Sequence, residues 1–162
     1  MSPTIITLIG GLAILLVGVG LLGTLLGVRA TEAGFTNIQT GLVMGSYYLG
    51  YVTGSLLVPR IIRNVGHIRT FAALAAITAA CSLTFGLFVN PWTWFVLRLL
   101  NGLAVVGLYM VVESWLSEQS RGPARGRIFS TYMMSTLIAL GGGQFLIVAG
   151  GVDPLQAFVI AA

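Results

Sequence analysis

The chain has 162 residues, of which 57% are hydrophobic and only 7% charged, with a mean hydropathy of +0.99. Soluble domains carry about 25% charged residues, so these totals exclude a soluble globular protein and indicate an integral membrane protein. The net charge of +4 comes from eight arginines against four acids, and the arginines lie mostly in short turns between apolar spans rather than in a basic patch interleaved with aromatics, which argues against nucleic acid as a partner.

Met1 to Val28 carries no charge and lacks both the basic start and the small-residue cleavage site of a signal peptide, so Thr4 to Val28 reads as a retained first span. Gly23 and Gly27 have the small-xxx-small spacing that lets a neighbouring helix come close. Arg29 to Asn37 is a polar turn. Ile38 to Val58 is the second span, and it repeats the spacing at Gly41/Gly45 and Gly50/Gly54, which is expected to put four small residues on one helix-packing face. Tyr47 and Tyr51, four apart, share a face and either line a cavity or pack against a neighbour.

Pro59 to Thr70 is expected to be a loop holding Arg60, Arg63, His67 and Arg69. The lone histidine is expected at solvent or lipid headgroups. Phe71 to Val89 is a plain third span whose only ionisable group is Cys81, and a single cysteine leaves no intramolecular disulfide and no cysteine metal site. Asn90-Pro91 breaks the helix, and Trp92 and Trp94 are expected at a membrane interface.

The fourth span, Thr93 to Leu116, carries Arg98, Asn101 and Glu113. Such groups are costly in hydrocarbon, so function is sought here first. At about 100° and 1.5 Å per residue, Arg98 and Glu113 stand about 22 Å apart along the axis but only about 60° around it. Tyr109 falls between them on the same side. Arg98 is either a contact for an anion or carboxylate, a tuner of a neighbouring acid, or a structural group paired with helix carbonyls and Asn101. Glu113 is either a protonatable carboxylate or a latch closing the inner side against Arg63, Arg125 or Arg127.

Ser117 to Arg127 reads as a polar loop in which Gly122-Pro123 stops the helix. Ile128 to Ala149 is the fifth span, where Gly141-Gly142-Gly143 is expected to bend or to meet a close neighbour, followed by Gln144 as a further cavity candidate. Gly150 to Asp153 turns, and Pro154 opens a sixth span of which the chain holds only the start. Six arginines fall in the loops after the second and fourth spans, against Arg29 on the other side, so the positive-inside rule places the N-terminus in the cytoplasm, in a multi-pass protein of the cell inner membrane. No His, Cys, Asp or Glu group has metal-ligand spacing and no serine or cysteine has a plausible base near it, so no metal, cofactor or enzymatic activity is indicated.

Leu97-Arg98-Leu99-Leu100-Asn101-Gly102 resembles the Arg-x-x-x-Gly segment in the fourth helix of major facilitator superfamily (MFS) transporters. Pro59 to Arg69 resembles that superfamily's Gly-x-Leu-Ala-Asp-Arg-x-Gly-Arg-Arg signature between helices two and three, with Pro59 at the usual first glycine and Arg63 at the usual aspartate. The standard charge pair of that signature is therefore missing, and the fifth span lacks the Gly-Pro of drug/proton antiporters. Val111-Val112-Glu113-Ser114-Trp115-Leu116, Arg125-Gly126-Arg127 and Tyr132-Met133-Met134 look most like the YcaD-like branch.

The resemblance implies an all-α, polytopic transmembrane helix bundle in which residues 1–162 form one transmembrane domain, the amino-terminal half of a transporter, with five complete spans and the start of a sixth. Helices one, two, four and five would line the cavity, and three and six would face lipid. It further implies secondary transport of a small-molecule substrate by alternating access, with proton coupling left open. The lipid bilayer and a carboxy-terminal half are the implied partners, and the chain is expected to be a fragment of a longer transporter. The alternative is a membrane scaffold or assembly subunit that binds a partner through small-residue helix faces and transports nothing.

Overall fold

The computed structural model describes residues 3–120, 124–150 and 154–162, which form six α-helices and no strand among the described residues. They are α1 (Pro3–Glu32), α2 (Asn37–Val65), α3 (His67–Leu87), α4 (Pro91–Gln119), α5 (Ala124–Gly150) and α6 (Pro154–Ala161). Four of them, α1 to α4, are long and apolar enough to cross a membrane. A helix satisfies its own backbone polar groups, the condition for lying in hydrocarbon. The fold is thus a multi-pass helical bundle, with α5 a further helix of 27 residues and α6 one of 8.

Local chemistry sets the helix starts. Thr36 and Gln39 form a reciprocal capping box before α2: the Thr36 hydroxyl accepts the Gln39 N–H at 3.2 Å, and the Gln39 side chain accepts the Thr36 N–H at 2.9 Å. Asn90 caps α4 by accepting the N–H groups of Trp92 and Thr93 at 2.9 and 3.3 Å, with Pro91 at the first helical position, where its missing N–H costs nothing.

The expected loop from Pro59 to Thr70 is corrected. α2 runs through Pro59 to Val65, α3 begins at His67, and Gly66 alone makes the junction, with a φ of 92° that other residues adopt only under strain. Arg60 and Arg63 therefore ride on the last turns of α2, and Arg69 on the first turn of α3. Proline is tolerated in such helices because local adjustment and neighbouring groups satisfy the freed carbonyl. The second polar loop is likewise mostly helical, its arginines Arg125 and Arg127 lying in the first turns of α5. Arg121, the stop at Gly122-Pro123 and the turn at Gly151 to Asp153 lie outside the described residues.

α4 packs against α2 and α3, α1 against α5, and α6 against both α1 and α3. Exchanging α1 with α4, α2 with α5 and α3 with α6 maps these pairings onto one another, the pattern of two three-helix repeats. Both principal pairs cross through reciprocal glycines. A Cβ on Gly50 would collide with the Leu99 carbonyl of α4, and one on Gly102 with the Tyr47 carbonyl of α2. In the other pair, Gly20 meets the Leu140 carbonyl of α5 and Gly143 the Val17 carbonyl of α1. Gly143 is thus the close neighbour expected in the triple glycine, and α5 continues through it.

Gly54 joins the α2/α4 crossing beside Leu103 and Val106, whereas a Cβ on Gly41 or Gly45 would meet nothing within 4 Å among the described residues. The two glycine pairs do not share a face, because nine residues from Gly41 to Gly50 turn the helix by about 180°. Trp94 also departs from expectation. Only Trp92 is exposed; Trp94 is fully buried, donates its ring N–H to the Phe88 carbonyl at 2.8 Å, and meets Phe35 and Phe85 edge-on.

Candidate functional site

α2 and α4 bring Tyr47 and Arg98 together. The Arg98 guanidinium lies 4.7 Å over the Tyr47 ring, and the arginine is only 8% exposed. A cation over a phenol face is attracted by the ring quadrupole, and more strongly where water is excluded. Asn101, one turn along α4, is fully buried, and neither atom of its amide finds a hydrogen-bond partner among the described residues. Tyr51 continues the α2 face, its ring 6.2 Å from that of Tyr47.

Further along α4, Tyr109 is half-buried and lies within electrostatic reach of Tyr47, Tyr51 and Glu113. Glu113 follows it by one turn and therefore shares its face. The Glu113 carboxylate is exposed and accepts a hydrogen bond from the Tyr132 hydroxyl of α5 at 2.9 Å. α2, α4 and α5 thus converge on one wall that carries a covered cation, four phenols and an exposed carboxylate.

The remaining sequence candidates lie elsewhere. Among the described residues Glu113 makes no ion pair with Arg63, Arg125 or Arg127. Arg125 instead donates to the Ser117 hydroxyl at 3.2 Å and sits 5.7 Å over the Phe129 ring, while Arg63 and Arg127 are exposed. Gln144 is exposed on α5, about 18 Å along the axis from Tyr132 and about 120° around it, so the two lie on different faces of that helix.

Two residues acquire roles that the sequence did not suggest. Tyr132 is buried at 1% exposure and holds Glu113 across helices. Nothing in a single sequence links two positions on different spans. His67, expected at solvent or headgroups, is half-buried, with Nε2 3.1 Å from the Ser114 hydroxyl and 3.8 Å from Glu118. It ties the start of α3 to the end of α4. It also borders an apolar cavity of about 400 Å³ between α1, α3 and α4, lined by Leu8, Phe71 and Trp115 among others.

Apolar helices of spanning length around an internal polar wall define a polytopic α-helical membrane protein. The sequence pattern of the Major Facilitator Superfamily matches residues 8–162. The chain belongs to that superfamily. It is 30% identical over 146 residues to an uncharacterised MFS-type transporter of Enterobacter sp. (strain 638), and 29% identical over 146 residues to the uncharacterised MFS-type transporter YcaD of Escherichia coli K12. Each alignment covers 90% of this chain and 38% of the relative, so the chain spans well under half the length of these proteins. No solved structure matches.

Proposed function

We propose that the chain forms the amino-terminal half of a secondary transporter that moves a small solute by alternating access. The observation that carries this reading is the convergence of α2, α4 and α5 on one phenol-rich, charged wall, in a bundle whose other exposed side chains are largely apolar, Ile14, Ile38, Leu56 and Ile68 among them. Ionisable residues within spans mark solute and ion pathways. Transporters built of parallel halves hold the solute near the midplane, between those halves. The relatives' designation as MFS-type transporters and their greater length support a second half as the opposite wall.

In this reading α5 is the fifth span, its 27 residues reaching about 40 Å against a hydrocarbon core of about 30 Å. α1, α2, α4 and α5 face the cavity, and Arg98 and Asn101, buried between α2 and α4 behind Tyr47, stand at the back of its outer half rather than open to it. Arg60, Arg63 and Arg69 flank the α2/α3 junction, and Arg125 and Arg127 open α5. Set against Arg29 alone at the other end, they favour a cytoplasmic N-terminus in the inner membrane.

Proteoliposome flux of a solute panel tests the proposal, measured with this chain alone, with the carboxy-terminal half alone, and with both. Flux that needs both halves is the expected result. Stable association of the halves with no flux in any combination would favour the scaffold reading and overturn transport.

A further inference from the structure

The acids of this chain differ in what balances them. Glu32 pairs with Arg29 at 3.1 Å and Glu118 lies 3.8 Å from His67, while Asp153 lies outside the described residues. Glu113 has no cationic partner among the described residues, in a chain where arginines outnumber acids two to one. Its one side-chain hydrogen bond among the described residues is to a neutral phenol, Tyr132. Charges inside spans normally pair with one another or face a watery cavity, and this one is exposed at the convergence of three helices.

Its surroundings define what it would accept. Tyr109 stands one turn away on the same face, and Tyr51 continues the α2 side of the wall, its ring 6.2 Å from that of Tyr47. Phenol faces and a carboxylate all attract positive charge, and the faces also take up apolar substituents. The arginines nearest this wall are otherwise engaged. Arg98 is covered by Tyr47 and almost inaccessible. Arg125, whose partner Ser117 lies one turn beyond Glu113, donates to that hydroxyl and lies over the Phe129 ring. Glu113 is thus left as the charge without a counter-ion on this face among the described residues.

We propose that Glu113, with Tyr51, Tyr109 and Tyr132, recognises an organic cation, an amine or quaternary ammonium or phosphonium bearing apolar groups. The carboxylate supplies the counter-charge, Tyr132 fixes its orientation, and Tyr51 and Tyr109 supply the aromatic walls. The inference deepens the transport reading and rests on it for the direction in which this wall faces, but binding itself requires no flux.

The test is equilibrium binding of tetraphenylphosphonium to the purified protein with its second half present, against tetraphenylborate, an ion of nearly the same size and opposite charge. Saturable binding of the phosphonium alone is expected, weakened about tenfold or more by Glu113→Gln, less by Glu113→Asp, and unchanged by Glu32→Gln. Equal or preferred binding of the borate, no phosphonium binding at all, or full affinity in Glu113→Gln overturns the proposal. A carboxylate reserved for protons, or for an arginine of the second half, would give the second of these results. Should Glu113→Gln fail to purify as a monodisperse species, Tyr51→Leu and Tyr109→Leu leave the carboxylate in place. Unchanged phosphonium affinity in both then overturns it. Glu113-dependent binding without flux of any solute would sink transport and leave this site standing; flux without phosphonium binding would do the reverse.

Discussion

Replacing Gly102 by alanine is expected to push α2 away from α4. The added Cβ would lie 2.9 Å from the Tyr47 carbonyl carbon and 3.2 Å from its Cα, and nearer still to the carbonyl oxygen. All three are helix backbone atoms, so no side-chain rotation relieves the contact and the helices must part by roughly 1 Å. Overpacking of this kind costs about 1–3 kcal/mol. The intrinsic gain of alanine over glycine in a helix, about 0.5–1 kcal/mol, offsets part of it. Gly41→Ala is the matched control, since a Cβ there meets nothing within 4 Å and only the gain remains. Gly50→Ala strains the same crossing from the other side, so the double variant should lose less than the sum of the two. Cys81, the only cysteine and 4% exposed, provides the assay: its reaction with a fluorogenic thiol reagent on heating reports loss of packing. At about 2–4 °C per kcal/mol for chains of this size, Gly102→Ala should lower the midpoint by several degrees, and Gly41→Ala should hold or raise it. A wild-type midpoint for Gly102→Ala, or an equal fall for Gly41→Ala, would refute the close-crossing argument.

Three further outcomes follow from the same structure. Asn90→Ala removes the cap that holds two N–H groups at the start of α4 and should cost about 1 kcal/mol, seen as a lower midpoint in the Cys81 assay. Phe85→Ala empties the fully buried position beside Trp94 and should cost about 3–5 kcal/mol, enough for Cys81 to react well below the wild-type midpoint. Tyr132→Phe deletes only the hydroxyl that Glu113 accepts, so it should lower the midpoint by no more than the loss of one charge-assisted bond, about 1.5–3 kcal/mol, and leave the protein monodisperse on size exclusion.

How much of this was legible in the sequence depended on range. The spans could be read because apolar runs of bilayer length are local, and Arg98, Asn101 and Glu113 stood out because ionisable and amide groups are rare within them. The start of α4 was equally local, written in Asn90-Pro91. Pro59 misled for a physical reason: a proline followed by arginines resembles a loop, yet a helix that emerges from the apolar layer carries its arginines into water without breaking. The glycines misled through geometry, since matching spacings at Gly41/Gly45 and Gly50/Gly54 lie on opposite faces. Trp94 faces inward because Phe35, remote in sequence, and Phe85, across the α3/α4 turn, close over it. The Glu113 to Tyr132 bond joins positions nineteen apart on different helices, and no periodicity encodes it.

The spacing of Arg98 and Gly102 finds its reason in a single residue of α2. Positions four apart share a helix face, and Tyr47 meets both. Its backbone carbonyl sits where a Cβ of residue 102 would be, and its ring covers the Arg98 guanidinium. The glycine lets α2 come close, and that closeness is what brings a phenol over the cation. A side chain at position 102 would lift the Tyr47 backbone and carry the ring away with it, exposing a charge that the bundle otherwise covers. Glu113 lies fifteen residues further along α4, where its hydrogen-bond partner among the described residues, Tyr132, comes from α5. One helix therefore locks one charge into the bundle and presents another outward. What separates the two is the neighbour that crosses α4 at each point, not the side of α4 on which each residue lies.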